Sequence, residues 1–322
     1  MISVLIAESD DFSASALRRL ESHARVLAAD LQRETLLRAV ADAEVLWVRL
    51  RNRIDAEVFD AGPRLRAIVS PTTGLNHIDL TEAARRQIKI ISLKGETEFL
   101  NRVRATAEHT LALTLSLLRK IPAANADVRR GNWNREPFRG QELYEKTAGI
   151  IGYGRLGRIV AKYLHALGMT VLTATREDEL EPIDPHVRLV TLPELLASSD
   201  LISIHVNWTP ENERFLGRDQ FACIKHGAWF VNTSRGELLD ERVLLDCLIS
   251  GQIAGAALDV LADELTVDFS RHPLIEYARN HDNLILTPHI GGNTWESRHK
   301  TEEFLVDRLL TWISASRPVA GV

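Results

Sequence analysis

Short apolar runs alternate with stretches of helical period from the first residues of the chain onward. Residues 2–7, 25–29, 45–48, 65–69 and 88–93 read as five strands, and residues 14–20, 33–41, 56–60 and 80–86 as the helices between them. Such β–α alternation predicts a parallel sheet covered on both faces. A longer helical pattern then runs over 103–120 and is expected to end at Ile121-Pro122. A looser stretch, Gly131-Asn132-Trp133-Asn134-Arg135-Glu136-Pro137, follows it. A second series of strands falls at 148–151, 170–174, 201–206, 229–232, 253–260 and 284–287, with helices at 155–167, 193–197 and 241–250. This is a second doubly wound sheet. After Gly291-Gly292 the chain turns amphipathic over 295–314. That last helix has no sheet of its own left to cover, so it is expected to return to the N-terminal domain.

The bulk properties narrow the function classes. A chain of 322 residues suits two domains, each with its own core. A net charge of -5 argues against nucleic acid as the main partner. Residues 1–7 carry no basic flank and read as a first strand rather than a signal peptide. No apolar run approaches the roughly 20 residues needed to cross a bilayer, so no membrane association and a cytoplasmic location are expected. Cys223 and Cys247 lack paired spacing and read as buried thiols in a reducing compartment. His, Cys and Asp spacing nowhere suggests a metal site.

The chemistry-bearing residues stand just after strand-like runs. Gly152-Tyr153-Gly154-Arg155-Leu156-Gly157 follows the apolar run 147–151. The first glycine permits a tight turn, the second lets a pyrophosphate approach, and the third lets the helix pack on the strand. Three further punctuations follow: Asn232-Thr233-Ser234-Arg235-Gly236, Leu258-Asp259 with Glu264, and Thr287-Pro288-His289-Ile290-Gly291-Gly292. An arginine, a carboxylate and a histidine so placed make a hydride-transfer set. His109, on the long helical pattern, reads as a packed helix-face residue.

Together with Thr73-Gly74, Ile78-Asp79 and Ala107-Glu108-His109, these motifs resemble, in order and spacing, the D-isomer-specific 2-hydroxyacid dehydrogenase family. The resemblance implies an α/β fold of two doubly wound parallel-sheet domains with an interdomain cleft. Residues 1–99 and 292–322 would form a flavodoxin-like substrate domain, and residues 100–291 a Rossmann dinucleotide-binding domain. It implies reversible oxidation of a 2-hydroxy acid to a 2-keto acid with NAD or NADP, and a homodimer built on the cofactor domain. His289 would exchange the proton at the C2 oxygen, with Glu264 pairing with its imidazole and raising its pKa. Arg235 would hold the substrate carboxylate or carbonyl, and the backbone of Thr73, Gly74 and Leu75 the other carboxylate oxygen. Thr233 and Asp259 would join the glycine motif in binding the cofactor, Asp259 at its nicotinamide end. An alternative on the same fold is a nicotinamide-sensing binding protein resembling the corepressors.

Two departures bear on specificity. An NAD-preferring domain carries Asp or Glu after its second strand, to bond the ribose 2′-hydroxyl. Thr175-Arg176 stands there instead, which resembles NADP-using members and favours NADP weakly, against the counter-field of Glu177, Asp178 and Glu179. Arg49, with Arg51 and Arg53, and Arg135 resemble phosphate-binding arginines of phosphoglycerate dehydrogenases. Ser70 occupies the place of a third such arginine. The substrate is therefore expected to be glyoxylate, hydroxypyruvate or an acid with a second anionic group.

Overall fold

The computed structural model describes residues 1–176 and 183–316. The chain divides into two compact units, Met1–Val103 with Thr294–Val322, and Arg104–Asn293. In the first unit, strands β1 (Ser3–Ile6), β2 (Arg25–Ala28), β3 (Val45–Trp47), β4 (Ala67–Ser70) and β5 (Lys89–Ser92) form a parallel sheet. Its order is β2-β1-β3-β4-β5, the flavodoxin-like winding. The central strands β1, β3 and β4 are buried along their whole length, as a sheet covered on both faces requires.

One face of that sheet is closed by the last helix, Trp295–Ala315. Leu305, Val306, Leu309 and Ile313 of this helix pack in one core with Val4, Ile6, Trp47 and Val69. The helix also brings Glu302, fully buried, against the start of the unit. Its carboxylate accepts from Ser13 N at 2.7 Å and pairs with Arg49 Nη2.

The second unit holds a seven-stranded parallel sheet: β6 (Thr147–Ile151), β7 (Thr170–Ala174), β8 (Val187–Leu189), β9 (Leu201–Ile204), β10 (Ala228–Asn232), β11 (Ile253–Leu258) and β12 (Leu284–Leu286). The order β12-β11-β10-β9-β6-β7-β8 is the Rossmann winding with one strand added at an edge. Because all strands run parallel, the turns after β6, β7, β10, β11 and β12 emerge along one edge of the sheet. These five turns carry the glycine motif, Thr175-Arg176 and the three punctuations singled out above.

Several features depart from the sequence reading. Strand β8 has no apolar run, because as an edge strand it exposes Arg188 and Leu189. The long helix ends just before Ile121-Pro122, as expected, but the stretch that follows is not loose throughout. Helix Ala105–Leu118 stops at Lys120, which is left-handed at φ 52°, and a new helix, Ile121–Arg129, starts with Pro122 in its first turn. Proline is tolerated there because the first-turn N–H has no partner to lose. Cys223 is exposed and Cys247 only half-buried, so neither is a core thiol. No helix among the described residues is long and apolar enough to cross a membrane.

Candidate active site

The glycine turn is fixed by space. Gly152 sits at φ +90°, and a Cβ there would stand 2.7 Å from His205 O. A Cβ on Gly157 would stand 2.1 Å from Gly152 O, so only glycine lets the helix Arg155–Ala166 close on the turn. The space beside Gly154 is open to 4 Å, and the helix has no side-chain cap. Its first N–H groups therefore face an open approach, the arrangement that receives a phosphate. Burial, with the charge of Arg104, holds Arg155 below its ordinary pKa, so two cations adjoin this helix start. Leu156 is half-buried beside it. Tyr153 points inward instead. Its hydroxyl donates to Asp184 at 2.7 Å, and burial with that carboxylate pushes it up to about 12.

Thr175 follows β7. Its hydroxyl is buried and has no hydrogen bond to any described residue, which fits a ligand hydroxyl or phosphate arriving from outside. Arg176 is exposed. Its charge helps, behind the Thr209 hydroxyl and a backbone bond, to hold Glu211 below the usual carboxylate range. Glu177, Asp178 and Glu179 lie outside the described residues. The glycine turn, the uncapped helix and the Thr175 hydroxyl together fit a dinucleotide.

The next turns carry the acid–base groups. After β10 the buried Asn232 accepts from Ser234 N at 2.9 Å and donates to Arg235 O at 2.8 Å, a side-chain turn that fixes the Arg235 backbone. Thr233, also buried, bonds the Thr110 hydroxyl at 2.8 Å. Arg235 is half-buried. Burial pulls its pKa down, and the charges of Glu264 and Glu237 oppose the shift. One nitrogen donates to Ser234 O at 2.6 Å, and the rest of the fork makes no hydrogen bond to a described residue.

Asp259, after β11, organises the turn after β12. Oδ1 accepts from the Thr287 hydroxyl at 2.6 Å and Ile290 N at 2.9 Å, and Oδ2 from Gly291 N at 2.7 Å. His109 Nε2 lies 3.2 Å from Oδ1 and 3.0 Å from the Thr287 hydroxyl. Burial pushes the Asp259 carboxyl up, but these donors outweigh it and hold it below the ordinary range. Asp259, expected against the nicotinamide, is only 1% exposed and turned toward the His289 loop. His109 proves to be part of this scaffold, not a mere helix-face residue. Nothing in the local sequence signals a contact spanning 178 positions.

This web holds His289 at φ 52°, unusual for a residue with a side chain. Its N–H donates to Asp259 O at 2.8 Å, and its Nδ1 lies 2.5 Å from Glu264 Oε1. Both side chains are about one-fifth exposed, at 22% and 20%. Nδ1 is thus fixed by a carboxylate while Nε2 remains for a proton on a ligand.

The first unit supplies a separate loop after β4. Thr72 donates to Gly74 O at 2.8 Å, and Ser70 bonds both Thr72, at 3.0 Å, and the buried His77, at 3.1 Å. No described residue accepts from the amides of Thr73, Gly74 or Leu75, which suits them to an anionic oxygen. Arg49 turns Nη1 to Asp10 O and Nη2 to Glu302, while its Nε has no hydrogen bond to a described residue. Arg51 likewise pairs with Asp30, at 2.9 Å. Arg135 lies in the exposed stretch after Ile121–Arg129 and pairs with Glu136 at 3.2 Å.

Known proteins share this architecture. A sequence profile described as D-isomer specific 2-hydroxyacid dehydrogenase, NAD binding domain, matches residues 111–291. The D-3-phosphoglycerate dehydrogenase of Archaeoglobus fulgidus is 37% identical over 300 residues, 92% of this chain and 54% of that protein. This chain thus spans about half the length of the phosphoglycerate dehydrogenases it matches. The glyoxylate reductase of Thermofilum pendens is 35% identical over 90% of this chain and 84% of its own. The crystal structure of the TT0316 protein from Thermus thermophilus superposes with a TM-score of 0.84 at 34% identity, over 99% of both chains. The fold and the order of its motifs agree with these matches: the chain belongs to the D-isomer specific 2-hydroxyacid dehydrogenase family.

Proposed function

We propose that the protein is a nicotinamide-dependent oxidoreductase that interconverts a 2-hydroxy acid and its 2-keto acid. The observation that carries this reading is the 2.5 Å contact between Glu264 and His289, beside an Arg235 whose fork is mostly uncommitted. A bound NAD(H) or NADP(H) would supply or accept the hydride. His289 delivers the proton to the C2 oxygen in reduction and removes it in oxidation. Glu264 fixes the imidazole tautomer and stabilises its charged form. Arg235 holds the substrate carboxylate or carbonyl with its planar donor fork. The Thr73–Leu75 amides suit the second carboxylate oxygen.

The arginines decide between substrate classes. With Arg49 turned to Glu302 and Arg51 to Asp30, the second-anion reading rests on Arg53 and Arg135, both of them exposed. Compact 2-keto acids such as glyoxylate and hydroxypyruvate are favoured. Nicotinamide absorbance at 340 nm against a panel of 2-keto acids tests the whole reading. Turnover of none would overturn it.

Cofactor choice turns on Thr175. A hydroxyl offers no repulsion to a 2′-phosphate, and we favour NADP(H) by roughly tenfold, about 1.4 kcal/mol. Thr175→Asp should reverse the preference in kcat/KM by adding charge against the phosphate. A wild-type enzyme that prefers NADH would refute it. We also propose a homodimer that covers Trp133, 90% exposed in the single chain. A monomeric mass by light scattering at micromolar concentration would refute that.

A further inference from the structure

The peptide between Leu261 and Ala262 is held from two sides. A Cβ on Gly236 would stand 2.0 Å from Leu261 C and 2.1 Å from Ala262 N, so the turn after Arg235 lies directly against this peptide. The Ala262 N–H donates to Glu241 Oε1 at 2.7 Å. The other oxygen, Oε2, lies 3.3 Å from His272 Nε2. Glu241 opens the helix Glu241–Ser250, and His272 precedes the helix Pro273–Ala278. Their side chains are 16% and 7% exposed. His272 Nδ1 is buried without a hydrogen bond to any described residue, so Glu241 fixes the ring from one end only. Beyond the held amide the chain turns through Asp263, left-handed at φ 54°, and presents Glu264.

We propose that Glu241 is a positioning residue: its carboxyl group, steadied by His272, fixes the Ala262 amide and with it the reach of Glu264 to His289. The proposal rests on the acid–base reading of that pair given above. The lever is short, since two residues separate the held amide from Glu264. A displacement near 1 Å would break a 2.5 Å contact, and misplacement on that scale costs on the order of a hundredfold in rate.

The charge environment suits a clamp that works across neutral pH. Burial, against the bond from Ala262 N, pushes the Glu241 carboxyl up to about 7. Glu237 and Asp263 push the same way, and Arg214 opposes them. Burial pulls His272 down. Whether the Glu241 carboxyl is ionised or carries a proton on Oε2, that oxygen stands 3.3 Å from His272 Nε2. In either state Oε1 remains to accept the Ala262 N–H.

Two variants separate the hydrogen bond from the packing. Glu241→Gln keeps an oxygen for Ala262 and a donor for His272, whereas Glu241→Met keeps the volume and loses the acceptor. In cofactor-free protein with labelled histidines, the His289 ring resonances should match wild type for Glu241→Gln. In Glu241→Met they should move toward those of Glu264→Gln, because the Nδ1 hydrogen bond to the carboxylate is lost. With cofactor and substrate, Glu241→Met should lose about ten- to a hundredfold in kcat at unchanged cofactor KM, and Glu241→Gln should restore most of it. If Glu241→Met does not fold, Glu241→Asp, which withdraws the carboxylate by one methylene, carries the same expectation. His289 ring resonances unmoved in the acceptor-less variant would overturn the proposal, as would equal damage from Gln and Met. The spectrum needs no substrate. A moved His289 without turnover of any 2-keto acid removes the catalytic reading alone, and turnover with an unmoved His289 removes the positioning role alone.

Discussion

Two glutamate–histidine pairs lie within one short region of the second unit, and they differ in contact and exposure. Glu264 and His289 meet at 2.5 Å with each side chain about one-fifth exposed, whereas Glu241 and His272 stand 3.3 Å apart with the imidazole only 7% exposed. In the first pair Nδ1 takes the carboxylate, leaving Nε2 for a ligand. In the second the carboxylate divides itself between a histidine and a backbone amide, and the remaining ring nitrogen, Nδ1, is buried. The same two residue types thus suit proton exchange where the remaining ring nitrogen belongs to a partly exposed side chain, and a loop fastening where the pair is enclosed.

The contrast can be broken most directly by removing each imidazole. His289→Asn should lose on the order of 10²–10⁴ in kcat with cofactor affinity nearly intact, because a general acid–base group is gone. His272→Asn should lose less than about tenfold, since a carboxamide can still face Glu241. Steady-state kinetics of the two variants side by side check this, and similar losses would erase the distinction. Arg235→Lys, next in size, should raise KM and lower kcat together, because lysine keeps the charge without the fork.

A subtler test uses the pH dependence of stability. The Glu241 carboxyl, ordinarily at 4.5, is raised to about 7 in the fold, so between those values the native state binds more protons than the unfolded chain. Its contribution is full below about pH 4.5 and is lost as pH rises through 7, amounting to at most about 3 kcal/mol. Glu241→Gln should flatten that part of the curve and gain relative to wild type at pH 8. Denaturant unfolding at pH 5, 6.5 and 8 measures it. A wild-type curve that does not fall across this window would remove the distinction in charge state between the two pairs.

The central strands were legible because burial on both faces writes itself as continuous hydrophobicity, as in Ser3–Ile6, Val45–Trp47, Ala67–Ser70 and Leu201–Ile204. The edge strand Val187–Leu189 is buried at one position only and left no such trace. The helix Ile121–Arg129 buries no residue, so it shows no apolar period, and Pro122 reads as a stop when it is a start. At the site, Arg235, Glu264 and His289 follow strand ends and stood out by spacing. His109 stood in a motif of the resemblance, but its contacts to Asp259 and Thr287 were not legible, and Glu241 did not stand out at all, because these roles come from contacts to residues 21 and more positions away.

The last helix, Trp295–Ala315, supplies Leu305, Val306, Leu309 and Ile313 to the core of the first unit. During synthesis the strands Ser3–Ile6 to Lys89–Ser92 leave the ribosome long before that helix is made. The intervening unit, Arg104–Asn293, takes about 10–40 s to translate at roughly 5–20 residues per second. For that interval the first sheet lacks the cover for one face. A released chain truncated before Thr294 keeps the whole second unit and lacks that cover, so protease should cut the earlier unit and spare the later one, and the order of maturation runs against the order of synthesis.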